Sequence, residues 1–320
     1  MTATPSRRAV LAGATAAAAG AALGPRIAAA ARDAYALRPV EVASGLWMIE
    51  GRREHFSRAN GGDIVNLAFA RTDAGAVVFD TGSTRRHGEA LRAAVAETVP
   101  LGVAAVYVTH HHPDHFFGNQ AFADRPIRAL PAARAGMVAH GEAYSDNLYR
   151  MLGDWMRGTE PVPAAEAAAP GPFEIGGRRF EAFALAGHTE ADLAILDVET
   201  GTLIAGDLAF LDRAPTTPHA DLGLWGRSLD ALDALGAGAT IPGHGPFDRT
   251  GEALRQTRAY LDWLDGALTD AAESGLGMAE TLSAPIPPRF AALGAQPEEF
   301  QRSVAHLFPD YELRALPPVE

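Results

Sequence analysis

The sequence predicts an α/β protein built as a four-layer sandwich with a C-terminal helical extension, and three observations carry that expectation. Short runs rich in Val, Ile, Leu and Phe, separated by Gly, Asp and Asn, open each half of the chain and read as hairpin-connected strands. Each set gives way to segments with apolar residues at helical spacing. A Pro/Ala-rich stretch at 161–172 parts the two halves. Two sheets, each covered by its own helices, stack into four layers around buried faces.

In order along the first half, strands are expected at Gly45 to Glu50, Asp63 to Ala70 and Ala76 to Asp80. From Thr84 to Glu97, Leu91, Ala94 and Val95 repeat at i, i+3 and i+4, which predicts a helix. Val103 to Val108 reads as a buried strand that runs into Thr109-His110-His111-His112-Pro113-Asp114-His115. A long helical stretch follows Pro131 and reaches about Gly158. In the second half, strands are expected at Arg179 to Leu185, Asp192 to Asp197 and Thr202 to Ala205, then a helix around Leu229 to Leu235. Ala239 to Ile241 reads as a strand ending in Pro242-Gly243-His244-Gly245. Leu254, Leu261, Leu264 and Leu268 form the apolar stripe of the next helix. The domain is expected over 38–274, with 275–320 as an extension packed on it.

Composition narrows the chemistry. The chain has 320 residues, 48% of them hydrophobic, enough to bury a full core without a staple. It has no cysteine, so thiolate ligands and thiol nucleophiles are excluded and any metal must be held by nitrogen and oxygen. It also has no lysine, which excludes Schiff-base chemistry on this chain. A net charge of −12 without a basic cluster argues against nucleic-acid binding.

The first residues read as an address. Arg7 and Arg8 precede an uncharged Ala/Leu-rich stretch to Gly24 and the alanines 28–31, the pattern of a cleaved export signal over 1–31. The paired arginines favour the twin-arginine route and hence the periplasm. The apolar stretch is too short and too alanine-rich to predict a permanent membrane anchor.

The chemistry is expected where histidines and carboxylates follow strands. In an extended segment residues i and i+2 point the same way, so His110 and His112 can converge on one ion. Further donors sit next to glycines: His188 in Gly187-His188-Thr189, Asp207 in Gly206-Asp207, and His244 in Gly243-His244-Gly245. Read as two sites, His110, His112 and His188 make the first, Asp114, His115 and His244 the second, and Asp207 bridges them. Each site keeps an open position, as a catalytic centre requires. Two such ions acidify a shared water and polarise the bond it attacks, so no side-chain nucleophile is needed. Asp80 is expected to orient a ligand or that water, and Asp80 and Asp114 are the catalytic candidates. His111 is expected to point away from the ions. His55 and His219 are substrate candidates because they lie in loops with Gly, Asn or Pro, and Arg58 is a third as a holder of an anionic substrate, although Arg58 and Arg157 alike read more simply as solvated or ion-paired. His87, His140 and His306 read as ordinary helix or surface residues, and Trp155 and Trp263 as core or lid aromatics.

The pattern His-x-His-x-Asp-His, followed by Gly-His, Gly-Asp and Pro-Gly-His-Gly, resembles the metallo-β-lactamase superfamily over roughly residues 40–265. The resemblance implies an αββα fold and transfers the ligand roles to His110, His112, Asp114, His115, His188, Asp207 and His244. β-Lactamases of the commonest types place a cysteine at the second metal, and its absence here turns the expectation away from β-lactams. Tyr35 to Val40, His55 to Gly62, Asp154 to Pro161, Arg213 to Asp221 and Phe300 to His306 resemble more closely the quinoprotein relay system zinc metallohydrolases. That likeness implies an association with periplasmic quinoprotein alcohol oxidation.

The expected activity is therefore hydrolysis of an activated acyl bond in a small molecule, an ester, thioester or lactone, by a hydroxide bridging two Zn2+ ions. Iron and manganese suit the same donors. Two other readings stand beside it: an iron-dependent sulfur oxidoreductase, and a non-catalytic periplasmic accessory of a quinoprotein dehydrogenase.

Overall fold

The computed structural model describes residues 35–316; the export signal expected at 1–31 lies outside them. Seven strands form one sheet in the order β1 to β7 along the chain: β1 (Val40–Ala43), β2 (Leu46–Ile49), β3 (Leu67–Thr72), β4 (Gly75–Phe79), β5 (Val103–Tyr107), β6 (Ile127–Ala129) and β7 (Glu166–Ala167). Pairing is antiparallel from β1 to β4 and parallel from β4 to β7. The change comes where a helix, α1 (Arg85–Thr98), connects β4 to β5, as a parallel crossover requires. The second sheet holds β8 (Gly171–Ile175), β9 (Arg178–Leu185), β10 (Asp192–Asp197), β11 (Thr202–Phe210) and β12 (Ala239–His244). Its order is β12-β11-β10-β9-β8, antiparallel except for β11 and β12.

The sheets meet face to face, with Phe79 of β4 against Phe180 of β9 at 6.0 Å and Tyr107 of β5 stacked on Phe173 of β8 at 4.9 Å. Strands β2 and β4 are buried on both sides, which explains their unbroken apolar sequences. Their outer layer is α1, with Leu91 and Val95 buried, and α3 (Pro131–Leu152), with Met137, Leu148 and Leu152 buried; between them lies a single turn, α2 (Pro113–Phe116). The second sheet is covered by α4 (Leu222–Asp233) and α5 (Glu252–Glu273), the latter burying Leu254, Leu261, Leu264 and Leu268 as its periodicity predicts.

After two short turns, α6 (Met278–Thr281) and α7 (Pro288–Ala291), the last helix α8 (Glu298–Ala315) buries Phe300, Val304 and Phe308 in the core that holds α4 and α5. Each fully buried Phe contributes roughly 1.5–3 kcal/mol, so residues 275–316 are held by the second core and not merely laid on it. Among the described residues no helix is long and apolar enough to cross a membrane.

Several boundaries differ from the sequence expectation. The stretch 161–172 contains β7 and the start of β8, edge strands of the two sheets, so it is the crossing between them. Strand β3 starts at Leu67 because residues 57–64 turn: Asn60 Oδ1 accepts the backbone N–H of Ser57 and of Gly62, a side-chain mimic of a backbone turn. Strands β11 and β12 run on through Asp207 and His244, so these two residues lie within strands.

His87 is buried on α1 instead of being an ordinary surface residue. Its ring stacks on Tyr35 at 4.3 Å and its Nδ1 accepts the Ser83 N–H at 3.3 Å. Burial pushes its pKa down to about 3, so the folded chain keeps it neutral while an unfolded chain protonates it near 6.5. The unfolded state therefore binds more protons below pH 6.5, and stability from this group is lost as pH falls, by at most about 1.4 kcal/mol per pH unit. His87→Gln, which keeps an acceptor for Ser83, is expected to flatten the pH dependence of stability between pH 6 and 4 by about 1 kcal/mol per unit. Urea melts of both proteins across that range check it; equal slopes would refute it.

Candidate metal centre

The histidine-rich segment leaves β5 at the edge shared by both sheets. Val108 and Thr109 follow the strand, and Pro113 at the first position of α2 fixes the turn that follows His112. Asp80, at the end of β4 with φ 61°, receives the Thr109 N–H at 2.8 Å and the Thr109 hydroxyl at 2.9 Å. Its Oδ2 also accepts from His115 Nδ1 at 2.8 Å, which turns the ring so that Nε2 of His115 faces Asp207. Asp80 thus acts through His115, on the ligand side of its expected role.

His188 stands in the loop after β9. Gly187 (φ 137°) lies so close to Trp225 that a Cβ would meet its backbone nitrogen at 2.3 Å, so only glycine brings the loop to this position. Asp192 accepts the N–H groups of His188 and Thr189 and the Thr189 hydroxyl, locking the loop. In β11 the register to β12 is irregular on both sides of Gly206 (φ 52°), and there Asp207 turns toward the histidines. Gly243 of β12 lies against it, where a Cβ would meet Asp207 Oδ1 at 1.9 Å. His244 is aimed by its Nδ1–H, which donates to the Ile64 carbonyl at 2.7 Å. Asn66 holds the same turn, donating to Pro242 and Gly245 carbonyls at 2.8 and 2.7 Å. Nothing in the sequence pattern singled out Asn66, because its partners lie about 176 residues away.

The structure gathers His110, His112, His188 and Asp207 with one ligand atom from each within 4.8 Å of the others, and Asp114, His115 and His244 likewise. The carboxylate of Asp207 spans the two groups. Its Oδ2 faces His188 Nε2 at 3.3 Å and His110 Nε2 at 4.0 Å, and its Oδ1 faces His115 Nε2 at 3.1 Å and His244 Nε2 at 3.4 Å. Asp114 Oδ2 completes the second group, 3.3 Å from His244 Nε2.

The donor chemistry fits cations. Nε2 of His188 lies 3.2 Å from His110 Nε2 and 2.8 Å from His112 Nδ1, so three imidazole nitrogens converge on one another. Burial holds His110 and His112 well below the usual imidazole range, in the neutral form that presents lone pairs. Burial opposes the charge of Asp207, but His244, His115 and His188 keep it ionised, well below the usual carboxylate range. His115 Nε2 and Asp207 Oδ1 are buried without a hydrogen-bond partner among the described residues, a cost that coordination would remove. A four-donor nitrogen and oxygen set of this kind accepts zinc, iron or manganese.

Above the cluster opens a cleft of about 210 Å³ lined by His112, Asp114 and Asp207 at its floor and by Phe56, Ile64, Leu148 and Met151 on an apolar side. His55 and His219 both line it. His219 Nδ1 lies 2.8 Å from His112 Nε2. Because Nδ1 of His112 faces the cluster, Nε2 carries the proton and donates to His219, which fixes the tautomer of His112. His111 is in neither of the two groups around Asp207; it packs on Gly136 of α3 with both ring nitrogens buried and unpartnered among the described residues, one of them within 4.8 Å of ligand atoms of His112 and His219.

Arg58, expected to touch substrate, does not line the cleft: it is exposed, and its carbonyl accepts the Trp155 Nε1–H at 3.0 Å. The arginines at the cleft are Arg213 and Arg302, which carried no role in the sequence reading. The available signal was that both fall in segments quoted above, Arg213 to Asp221 and Phe300 to His306.

The family model for the metallo-beta-lactamase superfamily matches residues 60–244. No curated protein sequence matches the chain. Among solved structures, the metallo-beta-lactamase from Pontibacter korlensis is similar at TM-score 0.57 and 21% identity, covering 71% of this chain and 99% of its own. The metallo-beta-lactamase FIM-1 from Pseudomonas aeruginosa, in its mono-zinc form, reaches TM-score 0.58 at 16% identity over 72% of this chain and 97% of its own. One from Hirschia baltica gives 0.56 at 19% identity over 70% and 97%. At these identities the likeness is one of fold.

Proposed function

The chain belongs to the metallo-β-lactamase superfamily, and from that premise we propose that it is a dinuclear metal-dependent hydrolase of activated acyl bonds, an ester, thioester or lactone. The observation that carries this reading is Asp207, whose two oxygens face two separate sets of buried donors at the floor of one cleft. His110, His112, His188 and Asp207 would hold one cation, and Asp114, His115, His244 and Asp207 the other. Bound there, two divalent ions supply Lewis acidity and an acidified water near neutral pH. Zinc is the metal we assign first.

The residues of the chain do the positioning. Asp80 fixes His115, and the Ile64 carbonyl fixes His244. Phe56, Ile64, Leu148 and Met151 take the apolar part of an acyl group and keep bulk water from it. Asp114 lines the cleft, and although burial opposes its charge His115 and His244 keep it ionised, which suits it to accept the proton the attacking water loses and pass it to the departing oxygen or sulfur. In the net reaction water adds across the acyl bond: its oxygen joins the carbonyl carbon, the bond to the alcohol or thiol breaks, and that group leaves with a proton.

Residues 1–31 support placing this activity in the periplasm after twin-arginine export, and the five segments named above support a link to quinoprotein alcohol oxidation. His112→Ala and chelator-stripped protein, compared with metal-loaded protein over esters, thioesters, lactones and β-lactams, are expected to lose turnover by roughly 10³-fold. Undiminished activity without metal would overturn the proposal. Tight iron with a visible absorption band would favour the sulfur oxidoreductase instead.

A further inference from the structure

We infer that the wall of the cleft built by Arg302, Arg213 and His55 is an anion subsite, and that the substrate carries a carboxylate remote from its scissile acyl bond. The inference rests on the hydrolase reading only for the reacting group, since the subsite itself is argued from binding chemistry.

The wall is built around Glu299, whose side chain is 0% exposed. Arg213, 3% exposed, donates to Glu299 Oε1 at 3.2 Å, and Arg302 Nη1 donates to both of its oxygens at 3.0 Å. Thr216 donates a further hydrogen bond to Oε1 at 2.9 Å. His55 adds no charge: its Nε2 accepts from Arg302 Nη1 at 3.2 Å, and burial pushes its pKa below the usual imidazole range. Glu298, the next acid, is exposed to solvent. Two guanidinium groups therefore share one buried carboxylate, leaving one positive charge in excess on the wall.

That excess is costly where it stands. The same cleft has the donor sets for two divalent cations on its floor, and like charges in a half-buried space repel strongly. The excess is relieved when an anion enters, and Arg302 has the means to hold it. Its side chain is 39% exposed, it lines the cleft, and only Nη1 is engaged with protein among the described residues, leaving Nε and Nη2 to grip a planar carboxylate side-on. Arg213 adds a buried Nε–H that has no partner among the described residues. One surplus charge matches one carboxylate better than a doubly charged phosphate.

The location is also telling. Arg302 and Glu299 lie on α8, well beyond the family match that ends at His244. The catalytic floor is thus common to the superfamily, while the last helix brings its own selective element over it.

The test measures binding on the metal-loaded protein by calorimetry, with ω-mercaptoalkanoates of three to six carbons and the matching mercaptoalkanols. The thiol anchors each probe at the metals, and only the acid can reach the arginines. At one chain length the acid is expected to bind at least tenfold more tightly than the alcohol, and Arg302→Met is expected to reduce that ratio below threefold. Arg302→Gln, which keeps a donor toward Glu299, serves if the first variant does not fold, and is expected to give the same reduction. A ratio near one in the native protein, or one that survives loss of the guanidinium, would overturn the inference. Acid selectivity with no acyl turnover would leave the subsite standing and sink the hydrolase reading; turnover with no acid selectivity would do the reverse.

Discussion

Asp207→Ala is expected to leave at most one divalent ion per chain and to lower turnover of the best acyl substrate by about 10³-fold or more. Every other donor in the cluster serves one group, so its removal costs one of four ligands on one side. Asp207 is shared, with Oδ2 toward His188 and His110 and Oδ1 toward His115 and His244. No neighbouring side chain can replace it, because Gly243 presses against Oδ1 and the surrounding strand positions are filled. The loss also leaves His115, His188 and His244 around a void without the carboxylate that balanced them. Elemental analysis paired with turnover distinguishes this from general damage. Two tightly held ions together with native turnover in the variant would mean that the carboxylate is not a shared ligand.

A second large effect lies far from the cleft. Arg178→Ala is expected to destabilise the fold by about 3–5 kcal/mol, because it strands a buried carboxylate. Arg178, at the start of β9, pairs with Asp197 of β10, with Nη2 at 2.6 Å and Nε at 3.0 Å from its oxygens. The rest of its guanidinium reaches across to the other sheet, where it donates to the carbonyls of Ser44, Gly45 and Arg71. One side chain therefore serves a buried carboxylate and three carbonyls at the closed edge of the sandwich, and deleting it leaves Asp197 with only the Thr200 hydroxyl and removes the ion pair that compensated its burial. Equilibrium urea unfolding measures the loss. The paired variant Arg178→Met with Asp197→Leu should recover much of it, since an apolar pair carries no desolvation cost. A single variant as stable as the native chain would show that water replaces the guanidinium at no cost.

Much of the site was legible because its residues come in short local patterns. His110, His112, Asp114 and His115 fall within six positions, and alternation plus a proline turn is enough to divide them between two groups of donors. His188, Asp207 and His244 each sit beside a glycine, and those glycines are required by close backbone approach, as Gly187 and Gly243 demonstrate. The boundaries that slipped were those set by partners elsewhere. Asp207 and His244 stay within strands because β11 and β12 pair with each other beyond the point where the apolar pattern ends. His87 looked like a polar helix position, and only the ring of Tyr35, stacked over it from a distant segment, makes it a core residue.

The amino-acid order alone determined the donor chemistry: nitrogen and oxygen donors without thiols, set beside glycines, in a chain able to bury two layers of sheet. Local spacing carries that information because a ligand's direction follows from the few residues around it. Which loops face the ligands was decided by the packed fold. Asn66 reaches β12, His219 reaches His112, and Arg302 returns from the last helix to share Glu299 with Arg213, each across a long stretch of chain. Such contacts depend on how two sheets and their covering helices settle against one another, and no periodicity in the chain encodes them.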